Sequence, residues 1–173
     1  MPLRYEGWND LGATYVQLGQ FEQAQQAFER AIGLQPTFAL AHYNLAQMLV
    51  RLQRRREAIE HLRLAVGAAP NSATFLENLA WLLATCPEDS LRNGPDAVAL
   101  AEKVCRQTGY QHPSSLDALA AAYAEVGRFE EAVQTCERAA SLASQAGDSN
   151  LARQIGERLD LYRSQHAYRS PLP

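Results

Sequence analysis

The sequence predicts an all-α fold built from repeated helical units. Three observations predict it. Residues return at a fixed period: Leu45, Ala46, Ala58, Ala65 and Pro70 stand 34 positions after Leu11, Gly12, Ala24, Ala31 and Pro36. A period in this range marks a repeat architecture. Alanine is abundant and β-branched residues are few, which favours helix throughout. Glycine and proline punctuate stretches whose apolar residues recur at helical spacing.

The first unit covers 5–38. Its first helix is predicted over 5–18 and breaks at Gly19-Gln20, since glycine relieves the backbone at a helix end. A second helix is predicted over 21–34, and Pro36 ends the unit. The second unit, 39–72, takes its apolar stripe from Leu45, Leu49, Ile59, Leu62 and Val66. There His42 stands where Trp8 stood, Ala46 where Gly12 stood, and Leu62 where Phe28 stood. A core that needs apolar filling more than exact identity tolerates such changes. Arg54-Arg55-Arg56 falls at the turn between the two helices. It reads either as a solvated turn or as a contact for an acidic partner.

The third unit, 73–112, departs from the period. Its first helix, over 73–85, keeps Leu76, Leu79, Ala80 and Leu83. Proline, asparagine and glycine then make 87–94 a loop, and Pro95 and Asp96 start the next helix. Ala80 to Ala97 is 17 positions against 12 from Ala46 to Ala58, so this turn is five residues longer. The fourth unit, 113–146, restores the pattern with Leu119, Ala120, Tyr123, Gly127, Phe129 and Ala132, and with Cys136 in the place of Phe28. After Gly147 no fifth unit fits. A single amphipathic helix is predicted over 149–165, with Leu151, Ile155, Leu159 and Tyr162 on its apolar face. Arg153, Glu157, Arg158, Asp160 and Arg163 are expected to face water. A stack of repeats leaves its last apolar face open, and such a helix closes it. The tail over 166–173 reads as loosely held. No equivalent cap precedes the first unit, which points to a piece of a longer protein or to an end shielded by self-association.

The run Trp8-x-x-Leu11-Gly12-x-x-Tyr15, then Ala24-x-x-x-Phe28, then Pro36, resembles the tetratricopeptide repeat. The first unit carries every signature residue of that family. The resemblance implies a right-handed superhelix of four helix–turn–helix repeats plus a C-terminal capping helix, all in one domain. It implies that the large residue of one helix packs over the small residue of the other, here Gly12 and Ala24. It also implies a concave groove, lined by the first helix of each repeat, that holds an extended peptide or a partner helix. Carried across, the groove-facing places are Asn9, Ala13 and Val16 in repeat one, and Tyr43, Asn44, Gln47 and Arg51 in repeat two. Repeat three supplies Glu77, Asn78, Trp81 and Thr85, and repeat four Asp117, Ala121 and Glu125.

Asparagine bonds both the donor and the acceptor of a peptide backbone, and Asn44 and Asn78 hold the same place in consecutive repeats. Tyr43 and Trp81 offer the flat apolar contact that binding sites favour. Plainer readings stand beside these: asparagines solvating a helix face, Trp81 in the core, and Glu77, Asp117 and Glu125 as solvated acids. One family subtype grips acidic C-terminal tails with lysines, an arginine and asparagines. Here Asn9 and Ala13 replace a lysine and an asparagine, Glu77 stands where a cation would, and only Asn44 matches. The implied partner is therefore a neutral or basic protein segment. The loop 87–94 is a further candidate contact, or a length variant packed on its own repeat.

The 173 residues carry 16 basic and 19 acidic side chains, a net charge of −3. That balance offers no electrostatic footprint for nucleic acid or an anionic membrane. No apolar run nears the roughly 20 residues that span a bilayer, and 1–6 lacks the apolar core of a signal peptide. A cytoplasmic location is favoured, unless a targeting segment lies upstream. Cys86, Cys105 and Cys136 read as packed, reduced thiols. His42, His61, His112 and His166 lack metal-ligand spacing, and His61 with Glu57 reads as an exposed i, i+4 pair. Ser114 and Ser115 beside Asp117 and His112 read as helix capping rather than as a nucleophile. No catalytic residue, metal or cofactor is expected. The expected function is non-catalytic protein–protein recognition. The alternatives are a recognition or scaffold segment of a larger enzyme, such as a glycosyltransferase, and self-association through the uncapped first helix.

Overall fold

The computed structural model describes residues 4–171; the readings of 1–3 and 172–173 fall outside that span. Among the described residues there are nine α-helices, one short 3-10 turn and no strand. The helices are α1 (Tyr5–Gln17), α2 (Phe21–Leu34), α3 (Ala39–Arg51), α4 (Arg55–Ala68), α5 (Ala73–Thr85), α6 (Gly94–Gln107), α7 (Pro113–Glu125), α8 (Phe129–Gln145) and α9 (Ser149–Arg163). Contacts divide the chain between Phe75 and Leu76 into two compact units.

In the first unit α1 pairs with α2, and α3 with α4. The helices end for a backbone reason. Gly19 takes a positive φ of 71° after α1, the left-handed region where glycine carries no Cβ penalty. One period later Gln53 adopts φ 62° with a side chain attached. The hairpins close where small residues face large ones. Ala24 and Ala58 are fully buried, and a Cβ on Gly12 would lie 2.6 Å from Phe28 Cε1. The second hairpin relaxes both sides of that contact, with Ala46 and Leu62 buried in the equivalent places.

Two expectations change in this unit. His42 is buried, but it is not apolar filler. Its Nδ1 lies 2.9 Å from His61 Nδ1, and its Nε2 lies 3.0 Å from the Pro36 carbonyl oxygen. A carbonyl only accepts, so Nε2 carries a proton, and in the neutral imidazole Nδ1 then accepts from the His61 N–H. His61 is thus half-buried and turned inward, rather than an exposed partner of Glu57. The arginine run also divides. Arg56 is exposed and Arg55 buried. Arg54 grips Glu57 through Nε and Nη2 at 2.7 and 2.6 Å, and reaches Gln25 of α2 through Nη1 at 2.7 Å.

In the second unit α6 packs on α7, α7 on α8, and α8 on α9. Ala80, Cys105, Leu119, Cys136, Ile155 and Tyr162 are among the residues that meet in its core. The lengthened turn contains the 3-10 turn Asp89–Leu91. Arg92 folds this turn back. Its Nη1 donates to the Cys86 and Pro87 carbonyls at 2.8 and 3.2 Å, its Nε to Glu125 Oε1 at 2.8 Å, and its Nη2 to Asp89. Asn93 caps α6 by accepting from the Asp96 N–H at 3.1 Å, and Asp148 caps α9 by accepting from the Leu151 N–H at 2.9 Å. Burial pushes the Cys105 and Cys136 thiols up to about 12, so both stay protonated and inert at neutral pH.

Three expectations give way here. The serines do not cap α7: its N-cap is His112, with no side-chain cap bond. Ser115 instead donates to Glu77 Oε2 at 2.6 Å, and Pro113 in the first turn leaves one fewer N–H to cap. Arg158 does not face water but is buried. The described tail, 166–171, is not loose. Ala167 and Tyr168 pack against the core, the Ser170 N–H donates to Thr85 of α5, and Arg169 forms an ion pair with Glu125 of α7.

Candidate functional site

The first helices of the pairs carry the residues marked out by the repeat. In the first unit, Asn44, Gln47 and Arg51 of α3 meet Ala13 and Val16 of α1 around a hollow of about 220 Å³. Phe28 closes it from α2, because Gly12 lets that ring approach α1. Asn9 is buried, and its Oδ1 accepts from Asn44 Nδ2 at 2.9 Å. The Asn44 nitrogen is therefore held from behind and its amide plane is fixed. Tyr43 is half-buried and stacks on Phe75, ring centroids 4.9 Å apart.

In the second unit, Glu77, Asn78 and Trp81 of α5 and Asp117 of α7 line one cleft of about 200 Å³. Its third wall is α9, through Leu151, Gln154 and Arg158. Arg158 binds Asp117 with both branches, Nε to Oδ1 at 2.9 Å and Nη2 to Oδ2 at 2.6 Å. The two residues are only 7% and 5% exposed. Burial pushes the Asp117 carboxyl up from its ordinary range, while Arg158 draws it back. The guanidinium also sits 5.2 Å from the Trp81 ring centroid and 5.4 Å from that of Tyr168, within cation–π range. With Asp117 matched by Arg158, Glu77 is the acid that sets the sign of the cleft.

The remaining residues expected at the groove lie elsewhere. Glu125 stands between two guanidiniums, with Arg92 on Oε1 and Arg169 on Oε2, each at 2.8 Å. Thr85 is buried and donates its hydroxyl to the Trp81 carbonyl at 2.8 Å. Sequence reasoning missed the α9 wall. The signal was present, since Leu151, Ile155, Arg158 and Tyr162 share a helical face at spacings of four, three and four. The tail residues at the site left no such periodic mark. Among the described residues no group of three or more His, Cys, Asp or Glu is placed to hold a metal ion. No described helix is long and apolar enough to cross a membrane.

Helix pairs with these small-to-large contacts define a class, and comparison with known proteins gives the class its name. Two family models match, both described as tetratricopeptide repeat, one over residues 9–84 and one over 115–149. Together they cover more than half of the chain, and the chain belongs to the tetratricopeptide repeat family. Among curated proteins, it is 48% identical over 60 residues to a peroxisomal targeting signal receptor of Eremothecium gossypii. It is 42% identical over 60 residues to the receptor of the same name from Candida glabrata. Each match takes in 35% of this chain and 10% of the relative, so the chain matches about a tenth of their length. Among solved structures, MamA aligns with a TM-score of 0.69 at 22% identity, over 83% of this chain and 81% of that one. PilW, a type IV pilus biogenesis factor, aligns with a TM-score of 0.67 at 19% identity, over 92% and 78%. At such identities these likenesses show the fold alone. Fold and family place the chain among protein-interaction scaffolds.

Proposed function

We propose that the chain is a non-catalytic recognition module that binds an extended segment of a protein partner on the first helices of its repeats. The observation that carries this reading is the cleft of the second unit, where Glu77, Asn78, Trp81 and Asp117 share one hollow. The hollow around Asn44, Gln47 and Arg51 supports it from the first unit. Both combine amides suited to a peptide backbone with apolar surface. Glu77 in the cleft and a net charge of −3 favour a neutral or basic partner over nucleic acid. The curated relatives are named as receptors of a targeting signal, the same coarse class of function.

A pull-down with quantified binding tests the reading. Asn44→Ala, Asn78→Ala and Trp81→Ala are each expected to weaken partner capture, Trp81→Ala by tenfold or more as a half-buried aromatic anchor (about 2 kcal/mol). Undiminished capture by all three, with helicity retained, would sink it. A second reading, a recognition segment within a larger protein, draws on the matched receptors being about ten times longer than the matched stretch. The surrounding gene sequence decides between them. Self-association through the first helix predicts a mass that rises with concentration in light scattering, and a strict monomer excludes it.

A further inference from the structure

After α9 the chain turns at Gln165, whose φ is 56°, and runs back as residues 166–171. It lands on three places that the repeat assigns to the groove. Tyr168 lies against Trp81, ring centroids 5.8 Å apart, with the Arg158 guanidinium 5.4 Å from its own ring. Arg169 Nη1 is 2.8 Å from Glu125 Oε2. The Ser170 N–H donates to the Thr85 carbonyl at 2.8 Å, and the two hydroxyls are 2.9 Å apart. Thr85 gives its one hydroxyl proton to the Trp81 carbonyl, so Ser170 is the donor in that pair. Three consecutive side chains and one main-chain bond are thus read by α5, α7 and α9. Extended ligands are read in this way, main chain for affinity and side chains for specificity.

We propose, on the reading of these hollows as peptide sites, that the second unit recognises an extended protein segment of aromatic–cation–small hydroxyl sequence, which Tyr168-Arg169-Ser170 occupies as an internal competitor. A partner segment presents the same chemistry in the same order. Its ring enters the slot of Trp81 and Arg158, its cation meets Glu125, and its main-chain N–H and hydroxyl bond Thr85. The tail is packed but displaceable: it belongs to no helix, residues 167–170 are half-buried, and the Arg169 side chain is 37% exposed. Its strength is its tether, since a short flexible link supplies an effective concentration on the order of millimolar.

The test uses the full chain and a labelled synthetic peptide, His-Ala-Tyr-Arg-Ser-Pro, the sequence of residues 166–171. Binding is read by fluorescence polarisation to the wild type and to Tyr168→Ala/Arg169→Glu. The variant is expected to bind the peptide at least about tenfold more tightly, because its own tail no longer competes. A peptide with glutamate in the arginine place is expected to bind neither protein. Saturating peptide on the wild type should speed hydrogen exchange of the Ser170 amide. If circular dichroism shows the double variant has lost helicity, Arg169→Glu alone supplies the same comparison with Tyr168 still in place. No binding to a helical variant up to millimolar peptide, or equal binding of the arginine and glutamate peptides, overturns the proposal. Loss of partner capture by Asn78→Ala bears on the recognition reading alone, so the two can fail separately.

Discussion

Gln53 and Gly19 hold the same place one period apart, and only glycine suits it. Both adopt positive φ, 62° and 71°, where a Cβ crowds the following carbonyl at about 1–2 kcal/mol. Gln53→Gly relieves that strain, while the freer unfolded chain takes back part of the gain. A net stabilisation of about 0.5 kcal/mol is expected, read as a higher urea midpoint; an unchanged or lower midpoint contradicts the strain. Gly12 is the converse case. A Cβ there meets the Phe28 ring at 2.6 Å, and Phe28 is fully buried and cannot swing aside. Gly12→Ala should cost about 1–3 kcal/mol. In a Phe28→Leu background it should cost clearly less, since Ala46 and Leu62 already form that pair one repeat on. A double-mutant cycle measures the coupling, and strictly additive values would deny the contact. The period exposed both positions. What it concealed was that Gln53 keeps the glycine's backbone without being a glycine.

Helix ends were legible because glycine and proline act through the local backbone. Which way a borderline side chain turns was not, because the neighbouring helix decides. His42, Ser115 and Arg158 each sit at the edge of an apolar face. Each is drawn inward by a partner on another segment: His61, Glu77 and Asp117. The histidine pair linking α3 to α4 has a consequence in pH. Burial, then the nearby His42, lowers the His61 pKa from its ordinary value. Glu57, Glu60 and Glu29 pull the other way without reversing it. The folded chain therefore holds His61 neutral at a pH where the unfolded chain protonates it. That stability is present in full above about pH 6.5, the unfolded value. It is lost as pH falls from there towards the lowered folded value, at no more than about 1.4 kcal/mol per pH unit for one proton. Urea midpoints between pH 7.5 and 5 should fall more steeply for the wild type than for His61→Gln. Parallel slopes would remove the pair from the account.

Across the described residues, the 34-residue period made the helix pairs and their small-to-large contacts readable, while α9 showed only as an amphipathic stretch outside the period. The resemblance to the tetratricopeptide repeat carried Glu77, Asn78, Trp81 and Asp117 across as expected groove places before their common cleft was seen. The tail and the α9 wall stayed hidden because neither repeats, so no second copy marks their roles. The Asp117–Arg158 pair is where that hidden part meets the readable part, since it ties a repeat helix to the closing helix. Both groups are nearly out of water and bidentate, so screening does not diminish them as it does surface pairs. Removing one partner strands a buried charge, which typically costs about 3–5 kcal/mol. Arg158→Met should therefore lower stability by that much, and Asp117→Leu by a similar amount as Arg158 loses its carboxylate. The double variant strands nothing and replaces the pair with apolar bulk. Such exchanges are often neutral or favourable, so it should be more stable than either single variant. Thermal melts followed by circular dichroism on the four proteins close the cycle. Single losses below about 1 kcal/mol, or a double variant as unstable as the sum of the singles, would mean that apolar packing alone holds α9 and that the pair is incidental.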